Sequence, residues 1–500
     1  MAMVALVILG DLVIWQVYPP GIGLALLFLV AGVAVIWLRR ARLRNGSVLL
    51  SVVLFLCSLL PLVEAPSLLG FLVALTGTTL LALATSHHLP RSFEGFGATL
   101  ARFAVLAPFR LLGDGVGLLT GDVWKGVHGR ILRTLVIWIV PAVFAGAFLL
   151  LFAAANPVIE DLLRFIRPDV GIELLHPFRI ALWVVLAGVS WPLLRPRLLT
   201  WAKEAAIQGP RLPKAESLLF GQAAILRSLI VFNLMFAVQT VMDALYLWGG
   251  VRLPDGLSYA DYAHRGAYPL IATALLAAAF VLVALRPSGP AQNSVLIRRL
   301  VYVWIGQNVL LVISSILRLD LYVQVYSLTE MRIAAGIWMG LVAIGLVLIL
   351  LRIVWRRSNA WLVSSNLVSL GLTLFVCALI DFSAIIAQFN VENSRDLGGK
   401  GQPLDLYYLE SLGPSAIPAI AYLLDRVGER DDSQTKDFDI LAGNLAIGVL
   451  NGSSDWRSWS FRTQRLQDWL RASPRFENLG TTTRTYTSPP PPPEETLSSD

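Results

Sequence analysis

Eleven runs of about twenty mainly apolar residues dominate this chain, at 2–18, 22–38, 47–63, 67–85, 132–154, 178–194, 222–248, 266–285, 300–317, 331–351 and 361–381. Each is long enough to cross a bilayer, where water is absent and every backbone N–H and C=O must find its partner within the protein. The expected fold is therefore all-α, a polytopic membrane helix bundle of about 11 spans followed by a small helical extracytoplasmic C-terminal module. Composition agrees: 56% of the 500 residues are hydrophobic and 15% charged, far from the roughly 25% charged of soluble domains. The first run contains Asp11, lacks a basic flank and passes through Tyr18-Pro19-Pro20-Gly21 directly into the second. It reads as half of a helical hairpin rather than as a cleaved leader.

The distribution of charge sets the orientation. Residues 391–500 carry 11 basic and 16 acidic groups, and the preceding 390 carry 29 basic and 17 acidic. With the N-terminus in the cytoplasm, 22 of those 29 fall in inner loops, the sense that the positive-inside rule requires. The outer seven are Arg164, Arg167, Arg179, Arg252, Arg265, Arg318 and Arg332. An odd number of crossings then puts the C-terminal module outside. This asymmetry fits a membrane protein and excludes a nucleic-acid binder.

The chain divides by composition into a bundle at 1–382, an extracytoplasmic helical module at 383–475 and a Pro/Thr-rich disordered tail at 476–500. Within the bundle, residues 86–131 interleave apolar residues with Arg102, Arg110, Lys125 and Arg130. This pattern suits amphipathic helices on the inner leaflet, in contact with anionic lipid or with a docked protein. A short outer helix is expected over 155–177, opened by Pro157 with Glu160 and Asp161. In the module, spacing predicts a helical hairpin over 404–424 broken at Gly413-Pro414, a helix over 437–449 and a last helix over 460–470.

Two cysteines, Cys57 and Cys377, and five scattered histidines offer no disulfide framework and no metal-ligand spacing. No metal and no cofactor is expected. The polar residues concentrate elsewhere. Residues 318–332 read Arg-Leu-Asp-Leu-Tyr-Val-Gln-Val-Tyr-Ser-Leu-Thr-Glu-Met-Arg between two apolar runs. Arg318, Tyr322, Tyr326 and Glu330 recur every four residues, so a continuing helix would line them on one face, with Asp320 and Arg332 close by. The loop at 253–266 adds Tyr259, Tyr262, His264 and Arg265, also outside. With Asp243 these form an expected ligand-binding cluster at the outer face. Inside the membrane, Asp11 and Gln239 are the notable polar groups, and ionisable side chains there are functional hypotheses by default. The alternatives are an aromatic belt, snorkelling arginines, and paired charges or a water cavity that fix helix packing.

Five separated pieces carry a resemblance: Asp-Leu-Val-Ile-Trp at 11–15 with Pro-Pro-Gly at 19–21, the 255–266 loop, Arg-Leu-Asp-Leu-Tyr at 318–322 with Tyr-Ser-Leu-Thr-Glu at 326–330, Asp-Leu-Tyr-Tyr-Leu at 405–409, and Asp-Trp-Arg-Ser-Trp at 455–459. In that order, over about residues 10–470, the chain resembles an uncharacterised bacterial family of polytopic membrane proteins classed as a domain of unknown function. The resemblance implies an inner-membrane protein and carries no established activity.

Three classes of function remain. The first is a non-enzymatic envelope protein that binds a ligand or partner outside and passes a signal inward. The second is a membrane enzyme acting on a lipid-linked glycosyl or acyl substrate. Its layout resembles multispan glycosyltransferases with polyprenyl sugar donors, but those place an acidic residue in a sizeable first outer loop, and here that loop is only Tyr18 to Gly21. The third is a transporter, which an internal repeat would support and for which no repeat is evident. Reporter fusions test the topology: a fusion at residue 120 should report cytoplasm and one at residue 480 the extracytoplasmic side, and reversed signals overturn the orientation.

Overall fold

The computed structural model describes residues 1–17, 20–39, 45–86, 88–90, 92–101, 103, 104, 107, 114, 177–196, 222–245, 294–399, 401–428, 433–452 and 455–477. Among them every regular element is a helix. Among the described residues six helices are long and apolar enough to cross a membrane, and three more, Ala2–Ile14, Ile22–Leu38 and Phe178–Leu194, are apolar but shorter. The spans expected at 132–154 and 266–285 and the outer helix expected at 155–177 lie outside the described residues, as does most of 86–131. The chain forms two compact units, one of Met1–Pro210, Gly371–Leu379 and Asp455–Ser460, the other of Arg211–Leu370, Ile380–Ser454 and Phe461–Asp500.

The first unit contains α1 (Ala2–Ile14), α2 (Ile22–Leu38), α3 (Gly46–Glu64), α4 (Leu68–Thr85) and α5 (Pro177–Leu194). Asn45 and Ser67 cap the starts of α3 and α4, accepting from Ser47 N–H and Gly70 N–H, which satisfies donors that a helix start leaves open. Phe28, Val35, Phe55, Leu62 and Leu81 make the centre of the packing between α2, α3 and α4. Lipid tails are as apolar as leucine, so these helices associate by close fit rather than by escape from water. Gly77 is the tightest point: a Cβ there would meet Ser58 Oγ at 2.0 Å, so any larger residue wedges α4 from α3. The hydroxyls of Ser58, Thr78 and Thr85 return to carbonyls one turn back, which lets polar residues sit in an apolar interface without an orphaned donor.

Helix α1 is held to α5 by charge. Asp11, 8% exposed, accepts from Arg179 Nε at 2.7 Å and Nη2 at 2.5 Å, and from the Trp183 indole at 2.9 Å. The guanidinium also lies 5.4 Å from the centre of the Trp15 ring and 5.7 Å from that of Trp183. The run expected to continue to residue 18 ends at Ile14, where Trp15 is extended and Gln16 turns to φ 60°.

The second unit contains α6 (Gln222–Asp243), α7 (Val295–Tyr326), α8 (Glu330–Val354), the first part of α9 (Asn359–Leu379), α10 (Phe382–Asn393), α11 (Leu406–Ser411), α12 (Ile417–Val427), α13 (Ser433–Leu450) and α14 (Phe461–Ala472). Helix α7 has 32 residues and so measures about 48 Å at 1.5 Å per residue, well beyond the ~30 Å of hydrocarbon. Ordinary tilt absorbs only part of the excess. One end of α7 therefore stands clear of the lipid. The helices after α9 pack round Ile386, Val391, Leu409, Ile417, Ile420, Leu423, Phe438 and Leu470. The hairpin, the 437–449 helix and the last helix are all present, at slightly different bounds. Helix α10 is an addition: the expected last span ends at 381 and the next expected helix starts at 404.

The Asp11–Arg179 pair is the element most sensitive to single change. Arg179→Ala leaves a buried carboxylate uncompensated and should cost about 3–5 kcal/mol, whereas Asp11→Leu with Arg179→Leu should recover most of the loss. Thermal unfolding of the purified chain in detergent checks both, and a single variant as stable as wild type removes the pair from any structural role.

Candidate functional site

The polar stretch at 318–332 is built by a helix end and a sharp reversal. Helix α7 continues through Arg318 and Tyr322 to Tyr326, then Ser327 adopts φ 69° and Thr329 caps α8 by accepting from Arg332 N–H. Glu330 is thus the first residue of the next helix. This corrects the expectation that it shares a face with Arg318, Tyr322 and Tyr326, and the cause is the left-handed residue at 327, which ends the 3.6-residue register.

Within this knot the side chains do different things. Arg318 is 4% exposed. Asp320 is exposed and accepts from Gln324 Nε2. Tyr322 and Tyr326 stack with ring centres 4.8 Å apart, and the Arg332 guanidinium sits 4.6 Å from the Tyr322 ring. Arg332 also donates through Nη1 to the carbonyls of Tyr326 and Ser327. A cation at the last carbonyls of a helix satisfies acceptors that the helix leaves open and complements its dipole.

The helical module closes over the reversal. Asn390 on α10 accepts from Leu328 N–H at 2.7 Å and donates to Leu328 C=O at 2.9 Å, so one carboxamide matches both polar groups of one peptide residue. Glu330 N–H donates to Tyr408 Oη at 3.2 Å. Burial raises the Tyr408 phenol above its ordinary value, the Glu330 N–H works in the other direction, and the Glu330 carboxylate adds to the rise. Asp381 caps α10 by accepting from Ala384 N–H, accepts from Ser415 Oγ at 2.9 Å and pairs with Arg462 Nε at 3.4 Å.

A second joint lies in the first unit. Gly21 N–H donates to Arg457 C=O at 2.9 Å and Ile22 N–H to Trp459 C=O at 2.7 Å. Arg457 Nη1 reaches Leu12 C=O at 2.5 Å, capping the end of α1. Its guanidinium is oriented by Asp455, which accepts from Nε at 2.8 Å and Nη2 at 2.5 Å. Gly21 is required by contact: a Cβ would come within 2.2 Å of the Ser458 carbonyl carbon. Residues 455–460 form a strap across the turn between α1 and α2.

Of the remaining expected site residues, Tyr259, Tyr262, His264 and Arg265 lie outside the described residues, as do Arg102, Arg110, Lys125 and Arg130. Asp243 is the last residue of α6, and its side chain is outside what is described. Gln239 is half-buried on the same helix. Asp11 meets Arg179 rather than a cavity. Sequence reasoning missed Asn390, Tyr408, Asp381 and Arg457 as joints. Of these, Tyr408 and Arg457 lie in the conspicuous pieces at 405–409 and 455–459, and Arg457 follows Asp455 at a spacing suited to a short charged pair.

A helical bundle with membrane-crossing helices and polar joints at their ends is an integral membrane protein. A model of the domain of unknown function DUF4153 matches residues 48–423, and the chain belongs to that family. No curated protein and no solved structure matches it.

The strap has a pH signature. Hydrogen bonds from the Arg457 side chain, then from its N–H, lower the Asp455 carboxyl below the usual carboxylate range and raise the guanidinium further. A depressed acid adds stability above its unfolded value of about 3.9, lost as pH falls through the folded one. Protection of the Gly21 and Ile22 amides against hydrogen exchange, relative to the unfolded chain at the same pH, should therefore hold from pH 7 to about 4 and fall below that range. Asp455→Asn should give faster exchange with no such acid step. An unchanged profile in the variant removes Asp455 from the joint.

Proposed function

We propose that this chain is a non-enzymatic membrane protein of the bacterial envelope that binds a ligand or partner at the knot and helical module and passes their state along α7. The observation that carries the reading is the Asn390 carboxamide on both backbone groups of Leu328. Displacing α10 would orphan those groups at the root of α8 and the end of α7, at about 1–3 kcal/mol for each that stays buried. A ligand that shifts the module therefore has a direct energetic handle on a helix longer than the membrane is thick. Arg318, Asp320, Tyr322, Tyr326 and Glu330 form the described part of the ligand face in this reading, with Asp243, Tyr259, Tyr262, His264 and Arg265 completing it.

Orientation follows the same reading. The end of the second unit away from the knot carries Arg227, Arg298, Arg299, Arg352, Arg356 and Arg357 on α6, α7, α8 and the turn after α8. Such a basic end suits the cytoplasmic face, with the knot and module outside, the N-terminus inside and anionic lipid or a docked protein at 86–131.

Complementation tests the coupling. In cells lacking the gene, Asn390→Leu and Arg318→Ala chains should reach the membrane at wild-type abundance and fail to restore the wild-type phenotype. Full complementation by both overturns the proposal, and loss of phenotype together with loss of abundance assigns the residues to packing alone.

A further inference from the structure

The second unit holds a further group of polar side chains within its apolar helices. Asn233 lies in the middle of the Ile225–Met242 span, and Trp304, Gln307 and Asn308 lie within α7. Asn308 is fully buried, Trp304 1% exposed and Asn233 8% exposed. Their amide nitrogens are occupied. Asn233 Nδ2 donates to Leu229 C=O at 2.7 Å and across the interface to Leu300 C=O at 3.2 Å. Gln307 Nε2 donates to Asn233 C=O at 3.2 Å, and Asn308 Nδ2 to Trp304 C=O at 2.8 Å.

The oxygens are not. Asn233 Oδ1, Gln307 Oε1 and Asn308 Oδ1 are buried and have no hydrogen-bond partner among the described residues, and the same holds for the Trp304 indole N–H. Among the described residues the Asn233 and Gln307 oxygens and the Trp304 indole are left over where α6 packs on α7, beside the edge-to-face pair of Phe236 and Trp304 at 6.3 Å, and Asn308 Oδ1 lies one turn along α7 from Trp304. An orphaned buried polar group is destabilising, and more so in hydrocarbon, where no solvent substitutes. Leucine would fill any of these positions without that cost. From Asn308 the same buried face of α7 continues through Ser315 to Arg318 in the knot, at the spacing of one helix face.

We propose that Asn233, Trp304, Gln307 and Asn308 form an intramembrane site for a small guest that carries hydrogen-bond donors. The excess of acceptors selects hydroxyl, ammonium or water hydrogens and disfavours an anion. Water and a small donor-bearing solute share this chemistry. This site is independent of the coupling described above, since none of its four residues takes part in the joints.

Thiol accessibility in membranes tests it. With Cys57 and Cys377 replaced by serine, Asn308→Cys and Gln307→Cys should react with a small cationic methanethiosulfonate at least tenfold faster than Leu310→Cys, which is exposed on the outer surface of the helix. Melting of the purified full chain separates the sources. A higher Tm in ammonium chloride than in tetramethylammonium chloride, absent in Asn308→Leu, identifies a donor-bearing cation as guest. Equal Tm values together with fast thiol modification identify water. The Asn308→Leu chain should melt below wild type in every salt, because it loses both the guest and the bond to Trp304. Slow modification at both cysteines, or an Asn308→Leu chain that melts at or above wild type, overturns the site: the interface is then dry.

Discussion

A reversal between two membrane helices leaves backbone groups that neither helix can satisfy, and lipid offers them nothing. Between α7 and α8 this difficulty is concentrated in Ser327, Leu328 and Thr329. Asn390 answers both polar groups of Leu328, Arg332 answers the last carbonyls of α7, and Tyr408 receives the first N–H of α8. The packing of the C-terminal helices in the second unit depends on this matching, because α10 presents Asn390 only when its apolar face, with Ile386 and Val391, is seated in the module core.

The turn between α1 and α2 meets the same constraint by another route. There the partner is a strap of main chain, with Arg457 and Trp459 giving carbonyls to Gly21 and Ile22 and the Arg457 side chain reaching the end of α1. The segments that stand out in the sequence pair off in space: 405–409 with 326–330, and 455–459 with 11–22. Residues that look like components of a site are in large part the groups that close helix ends. A ligand acting at such a place would change helix termination directly, which makes these joints suited to transmitting a binding event.

Some of this was legible beforehand. The long apolar runs place α3, α4, α8 and α9 to within a few residues and the middle of α7, whose ends extend well beyond the expected 300–317, because a lipid-spanning helix needs only length and apolarity. The knot was also visible as a run of Arg, Asp and Tyr between two such stretches. Its internal geometry was not: Glu330 falls on a new helix because Ser327 takes a left-handed conformation, and serine carries no strong signal for that. Asp11 was conspicuous, yet its partner Arg179 is 168 residues away. Helix α10 was hidden because its apolar residues run on from the end of α9 and only Asp381, as cap, separates them.

By itself, then, the order of residues determined an all-helical membrane protein, the approximate positions of its spans and the place where polar groups gather. These depend on local quantities, namely hydropathy, run length and charge. The tertiary structure alone decided which polar groups meet: Asn390 with Leu328, Arg457 with Leu12, Arg179 with Asp11, and the leftover oxygens of Asn233, Gln307 and Asn308 between α6 and α7. Hydrogen bonds act over about 3 Å in fixed directions, and no spacing along the chain encodes which distant atoms folding will bring within that reach.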